Sequence, residues 1–568
     1  MAERYNAIVV GGGHNGLTTA AYLAKAGLKV IVLERRSILG GATLTESPVP
    51  GFKFSVASYL VSLLRPQVIR ELDLSKHGLQ MAPSVGTYTP HWDGYLDRRT
   101  DHADTIREIR KWSHRDADNY DDFKQTVTDI TRFIRPAIDL PAPDPYGDPQ
   151  EWLAYAGLAK EFGHLPLRTK GALLDLITGS AYDFLSRWFE GEPLVGTMSA
   201  SGIIGTFLGI KSPGTGMVFL HHYFGEIDGS FREWALPQGG TGAVAAAIAS
   251  AAQSFGAVTR TDAPVKQVLL RGDRAIGVVL DSGEELYGDT IVSAADAKHT
   301  FLEMLPAGSL PSEFETSIRN FKFRGSSAKV NFALDGLPTF TAAPPGTGHL
   351  MGTVSISPSP DYMEKAYDDA KHGHPSHRPF LDMLIPTLVD PSMAPPGKHV
   401  ATAFVQYAPH KLAPEHGSWD DIKESFGDLV VDTISEFAPD FREKIVGRQV
   451  MTPLDLERTI GLTEGNIFQG EILVQQMAFN RPVSGWSRYR TPIRDYWLAS
   501  SSAHPGGGIM AAPGRLAALE ILKAKKGGKY GVIQIDPAIS PWLAAINGLV
   551  SFTLFIAIGV MFSHITAE

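Results

Sequence analysis

The sequence predicts an α/β fold with a second, mixed domain and a hydrophobic C-terminal helix. Three observations predict it. The turn Gly11 to Gly16 lies between a β-rich run and a helix-patterned run. β-rich and helical stretches alternate through the middle of the 568-residue chain. Trp542 to Ser563 carries no charge and is mostly Leu, Ile, Val, Phe and Ala. At ~100–200 residues per domain the length fits about three units.

Tyr5 to Val10 is apolar and β-rich and reads as the first strand. The turn that follows contains G-x-G-x-x-G as Gly11, Gly13 and Gly16. In this pattern the first glycine makes the turn, the second admits a pyrophosphate to the backbone, and the third lets helix and strand pack closely. Leu17, Ala20, Ala21 and Ala24 recur at helical spacing, and Gly27 stops the helix. The helix start then offers free N–H groups and a positive dipole end to phosphates. Val30 to Leu33 is the second strand, and Glu34 closes it, 18 positions after Gly16. A carboxylate there accepts from ribose hydroxyls. Between a strand and a helix, with that carboxylate in place, the motif predicts a bound dinucleotide.

The next segments alternate in character. Trp152 to Phe162 and Leu173 to Trp188 are helix-patterned. Val265 to Leu280 holds two β-rich runs around Arg271-Gly272-Asp273, a hairpin signal. Ile291-Val292, Lys329 to Leu334, Phe380 to Ile385 and His399 to Gln406 read as strands, and Asp420 to Glu436 as an amphipathic helix. After Trp497-Leu498-Ala499 come Gly506-Gly507-Gly508 and a helix from Pro513, a residue suited to the first turn, to Lys526.

Bulk properties exclude several function classes. The net charge of -9 gives no electrostatic footprint for nucleic acid. With no cysteine there is no disulfide-reductase pair, Cys-ligated metal or Cys-linked flavin. The start Met1-Ala2-Glu3-Arg4 lacks the basic and apolar regions of a signal peptide. The segment 541–564 is long enough to span a bilayer as a helix. Lys523, Lys525, Lys526 and Lys529 precede it and predict a body on the cytoplasmic side. The alternative is a helix docked on the protein or on a partner. Either way the tail reads as an attachment device.

Three motifs carry a family resemblance. Glu34-Arg35-Arg36-Ser37-Ile38-Leu39-Gly40-Gly41, with Ala42 next, resembles the FAD-binding extension of the amine oxidase and phytoene desaturase superfamily. Trp234 to Gly242, followed by an Ala-rich helix and Val265, resembles that superfamily's return to the FAD domain, which implies the Val265 backbone beside the adenine. His504-Pro505-Gly506-Gly507-Gly508-Ile509-Met510 resembles the C-terminal FAD motif of carotenoid desaturases, carotenoid isomerases and retinol saturase. With Ser212 to Thr215, Lys329-Val330-Asn331 and Gly465 to Phe468, the chain is most similar to the pyridine nucleotide-disulfide oxidoreductase domain-containing protein two branch.

The resemblance implies a glutathione-reductase-like FAD-binding Rossmann domain from 1–65, 236–300 and 455–526, with a β-sheet plus helical substrate domain from 66–235 and 301–454. It implies non-covalent FAD held by Gly11, Gly13, His14, Asn15, Gly16, Glu34, Arg35, Gly40, Gly41, Ala42, Val265, Gly506, Gly507, Gly508, Ile509 and Met510. The last helix would aim its N–H groups at the N1–C2=O edge of the reduced flavin. His504 is the candidate acid or base, since histidine titrates near neutrality. His14 reads as packing in the turn. His372, His374 and His377 sit in a Pro- and Gly-bearing loop and predict no metal. Ser500-Ser501-Ser502 lacks a nucleophile elbow.

The implied activity is desaturation, saturation or isomerisation at C–C bonds of a lipophilic isoprenoid, carotenoid or retinoid, entering from a membrane held by the tail. The alternatives are an amine-oxidase-like flavoenzyme, marked by an aromatic cage, and a non-catalytic FAD-folded subunit with a membrane-complex partner.

Overall fold

The computed structural model describes residues 4–142, 149–227, 230–231 and 234–526. The apolar segment 541–564 lies outside the described residues. Among the described residues no helix is long and apolar enough to cross a membrane.

A five-stranded parallel sheet forms the first layer. Its order is Val258–Arg260, Val30–Leu33, Ala7–Val10, Ile291–Ser293, Tyr496–Leu498. Every residue of Ala7–Val10 and Val30–Leu33 is buried, as expected of a parallel sheet covered on both faces. The helix His14–Lys25 packs between the helices Gly242–Ser254 and Ala512–Lys525. It buries Leu17 and Leu23 completely, each worth about 1.5–3 kcal/mol. A Cβ at Gly514 would lie 2.2 Å from the Asn15 carbonyl oxygen, so only glycine lets the first and last helices approach this closely.

The first strand differs from its expected bounds. Arg4–Tyr5 pairs with Glu285–Gly288 in a separate four-stranded sheet, whereas Ala7–Val10 joins the parallel one. Asn6 makes the break: its Oδ1 accepts from the Lys29 N–H and its Nδ2 donates to Asp289. That four-stranded sheet also contains the hairpin Val265–Arg271 and Arg274–Leu280, whose first strand is bulged.

The second layer is a seven-stranded sheet. It runs Ile445–Met451, Ser327–Leu334, His399–Gln406, Phe380–Leu384, Thr353–Ile356, Gly86–His91, Gly94–Arg99. Every residue of Ser327–Leu334 is buried, including Lys329 and Asn331. Helix Trp419–Ser435 begins at a capping box, in which Ser418 and Asp421 satisfy each other's backbone N–H groups. Helices His114–Ile138, Leu167–Thr178, Ala181–Ser186 and Thr215–His222 form a third body around Phe123, Phe184 and Phe219.

Candidate functional site

A cavity of about 460 Å³ runs along the carboxyl ends of the parallel strands. This is the crevice where open α/β sheets bind ligands. Val10, Leu33 and Ala294 bring three strand ends to its wall.

Gly11 stands at φ +101°, and a Cβ on Gly16 would fall 2.1 Å from the Gly11 carbonyl oxygen. Both positions therefore require glycine. A Cβ built on Gly13 meets no protein atom nearer than the Gly41 Cα at 3.9 Å, although Gly13 lines the cavity. A side chain there would fill the cradle itself. Gly40 N donates to the Gly12 carbonyl at 2.9 Å, which brings the second glycine pair against the first turn.

One end of the cavity is polar. Glu34 accepts from the N–H groups of Gly12 at 2.8 Å and Arg36 at 3.0 Å. Arg35 donates to the carbonyls of Arg458 and Thr459, fixing the turn that carries Gly461 to the wall. Val265, Lys266, Asp281, His299 and Glu303 complete this end. Asp296 is fully buried. It accepts from the N–H groups of Lys298, His299 and Thr463, and those contacts with the His299 ring hold its carboxyl low despite burial. Burial opposes the His299 charge, but Asp296 and Glu303 prevail and raise its imidazole.

The other end is apolar and aromatic. Tyr59, Leu60, Leu63, Ile204, His222, Trp234, Phe404, Ile467 and Phe468 line it. Tyr59 lies flat on Phe404, with centroids 5.4 Å apart and planes at 16°. His222 lies parallel to Trp234 at 6.3 Å, and burial pushes its imidazole down to about 4, so it is neutral.

Behind this wall runs a row of side chains on one sheet face. Cross-strand register places Met451, Lys329, Phe404, Asp382 and Ser355 side by side. Lys329 Nζ donates to the carbonyls of Ser55 and Ser58, to Asn331 Oδ1 and to the Thr402 hydroxyl. It lies 5.9 Å from the Tyr59 ring centre. Burial brings Lys329 down to about 7 and raises Asp382 to about 6. Burial, then the Asp382 charge, raises the Tyr59 hydroxyl well above its usual range. Two groups that titrate near neutrality thus flank the Phe404–Tyr59 stack. Neither Tyr59 nor Asp382 carries a sequence motif, and Lys329 stood out only within a family segment. An isolated lysine inside the apolar strand Ser327–Leu334 was the signal available.

Of the sequence-predicted residues, Gly11, Gly13, His14, Asn15, Gly16, Glu34, Arg35, Gly41, Ala42, Val265, Gly508 and Ile509 line the cavity. Gly40, Gly506, Gly507 and Met510 lie behind its wall. The Gly507 carbonyl faces His221 Nε2 at 3.2 Å, and Met510 packs in the helical body. His504 is a correction. Its Nε2 contacts the carbonyls of Leu140 at 3.1 Å and Ala137 at 3.4 Å, at the end of helix His114–Ile138, and it does not line the cavity. Burial pushes its imidazole down to about 4. It anchors the helical body to the glycine segment. Arg65 makes a second anchor by its paired contacts with Asp139, both 2.8 Å.

The residues fit a dinucleotide. Asn15 Oδ1 and His14 Nε2 are buried without partners among the described residues, in side chains that line the cavity beside the first helix turn. Such atoms require a ligand or water partner.

Comparison with known proteins agrees. Residues 9–72 match an NAD(P)-binding Rossmann-like domain, and residues 156–413 match a flavin containing amine oxidoreductase model. The chain is 38% identical to pyridine nucleotide-disulfide oxidoreductase domain-containing protein 2 of Rattus norvegicus, over 91% of this chain and 93% of that protein. It is 28% identical to one of the subunits of limonene dehydrogenase from Castellaniella defragrans, over 91% and 94%. The fold is similar to that of cyclohexylamine oxidase from Brevibacterium oxydans, with TM-score 0.55 and 17% identity over 92% and 99%. FAD is the cofactor that the cavity and these matches support.

Proposed function

The chain belongs to the family of pyridine nucleotide-disulfide oxidoreductase domain-containing protein 2, and from that membership and the cavity we propose an FAD-dependent oxidoreductase acting on C–C bonds of a lipophilic, isoprenoid-like substrate. The family name mentions a disulfide, but a chain without cysteine performs no thiol step. Bound FAD supplies hydride transfer. Every other task falls to the chain: Gly11 to Gly16 and the first helix hold the diphosphate, Glu34 the ribose, and the apolar wall excludes water and orients the substrate.

One observation carries the substrate class. Among the described residues, the inner wall from Tyr59 to Phe468 is lined by no carboxylate, and its imidazole is neutral. A cationic amine would lose its hydration there without touching a described carboxylate, the nearest one, Asp382, lying behind Tyr59 and Phe404, and burial of an unpaired ion costs several kcal/mol. Tyr59 and Phe404 stack directly on each other, so they form no open aromatic pair to clasp an amine. The similarity to a component of limonene dehydrogenase supports a terpenoid hydrocarbon. Desaturation, saturation and isomerisation all draw on this arrangement. The match to an amine oxidoreductase model favours an amine as the second reading. We also propose that the segment 541–564 tethers the body to a membrane, its cytoplasmic side by the preceding lysines.

The test is anaerobic mixing of the FAD-loaded full-length protein with monocyclic terpenes, polyenes and primary amines. Flavin bleaching by a terpene or polyene is the expected result. Bleaching by amines alone selects the second reading, and no bleaching or turnover with any lipophilic donor or quinone acceptor overturns the proposal.

A further inference from the structure

Arg481 is fully buried, with 0% of its surface exposed. Its N–H groups donate to the carbonyls of Phe468, Gly470, Glu471, Gln476 and Ser501, at 2.8–3.3 Å. The ring of Phe321 lies 5.6 Å from the guanidinium. Among the described residues no carboxylate pairs with it. The nearby Glu471 side chain is already held by Arg324, at 2.6 and 2.8 Å.

Carbonyl dipoles satisfy the donors but do not cancel the charge. A buried ion without a counter-ion costs several kcal/mol, whereas an apolar side chain of similar volume would not. Burial alone lowers Arg481 to about 9, which leaves it charged at neutral pH. Its charge also helps to keep His221 and His504 neutral. Among the described residues the retained charge has no counter-ion, so it is available to balance an anion bound in the cavity.

Position indicates which anion. Phe468 and Ser501, two of the carbonyl partners, line the cavity. The guanidinium sits one residue behind that wall, and a Cβ on Gly506 would lie 3.6 Å from Arg481 Nε. Gly506 opens the glycine segment that reaches the cavity at Gly508 and Ile509 and leads into the last helix.

We propose that Arg481 is a positioning residue whose buried charge is the counter-charge for the anionic reduced form of the bound flavin. This rests on the FAD reading. On two-electron reduction the flavin takes up one hydride and keeps a negative charge at N1–C2=O. A fixed cation behind the wall favours that state and raises the flavin's affinity for electrons.

The test uses the full-length, FAD-loaded protein, reduced anaerobically beside a reference dye. In Arg481→Met the reduced-to-oxidised ratio at a fixed dye potential should fall at least about tenfold, and in Arg481→Lys it should stay within about threefold of wild type. An unchanged ratio in a folded Arg481→Met overturns the proposal. So does weaker FAD binding with an unchanged ratio, which would assign the charge to the diphosphate. Where Arg481→Met retains no flavin, the wild type decides. Uptake of one proton per two electrons between about pH 6 and 8 supports an anionic reduced flavin, and uptake of two overturns it. A wild type without flavin absorption overturns the cofactor reading itself.

Discussion

Asn15 Nδ2 donates to Ser501 Oγ across 3.1 Å, joining residues 486 positions apart. The bond ties the first helix to the segment that carries the last glycines. It orients the Asn15 amide so that Oδ1 remains for the cofactor. Asn15→Leu should leave the fold intact and weaken FAD binding by about tenfold, the scale of one buried hydrogen bond to a charged ligand. Fluorescence titration of the apoprotein checks it, and an unchanged affinity removes Asn15 from the site.

The two inner glycines should separate fold from binding. Gly16→Ala puts a methyl 2.1 Å from the Gly11 oxygen and should lower thermal stability and abolish FAD retention together. Gly13→Ala has room within the protein, its methyl 3.9 Å from the Gly41 Cα, and enters only the cradle. It should keep the wild-type melting temperature of the apoprotein while losing FAD.

His221, His222 and His504 are buried neutral, at about 3, 4 and 4 against an ordinary 6.5. Their folded values are depressed, so below pH 6.5 each of these imidazoles takes up a proton from solvent on unfolding. Their contribution is fully present above 6.5 and is lost as pH falls towards 4, at about 1.4 kcal/mol per pH unit for each group. In His504→Gln, which keeps a donor for the Leu140 carbonyl, the slope of unfolding free energy between pH 6.5 and 4 should be shallower by about one such increment. FAD content should be unchanged. Loss of flavin reactivity in a stable His504→Gln would restore the catalytic role.

Lys329 falls from 10.5 to about 7 on burial. Between those values the unfolded chain holds the proton and the folded one does not. Stability should therefore rise with pH from 7 to 10.5, by about 1.4 kcal/mol per unit. Lys329→Met should lack this rise. Chemical denaturation at pH 7 and 9.5 measures the difference, and parallel behaviour of the two proteins would show that Lys329 stays charged.

Deleting residues 541–568 should move the body from the membrane fraction to the soluble one without loss of flavin. A truncated protein that still sediments with membranes would place the attachment elsewhere.

The legible parts of the chain were local. Gly11 to Gly16 and Glu34 lie within one βαβ unit, where spacing alone dictates geometry. The hairpin at 265–280 carried its own turn signal, and the helix at 420–436 its own amphipathic pattern. The row Lys329, Phe404, Asp382 was not legible, because it exists only through the register of strands brought together from distant parts of the chain. Arg481 was missed for a related reason: its partners are backbone carbonyls, which leave no mark on residue type. The place of His504 was not legible either, because its contacts with the carbonyls of Ala137 and Leu140 are made across 367 and 364 positions of the chain. The segment reaches the wall, but the histidine side chain turns to the end of helix His114–Ile138.

The strand Tyr496–Leu498 completes the parallel sheet that Ala7–Val10 begins. On the ribosome this makes assembly of the cofactor domain a late event. At ~5–20 residues per second the nascent βαβ unit waits about 25–100 s for its last strand and helix to be synthesised. During that interval the first strands and helix lack the cover that Tyr496–Leu498 and Ala512–Lys525 later supply. The FAD-binding turn gains its complete sheet and its second covering helix only after residues 496–525 have been made.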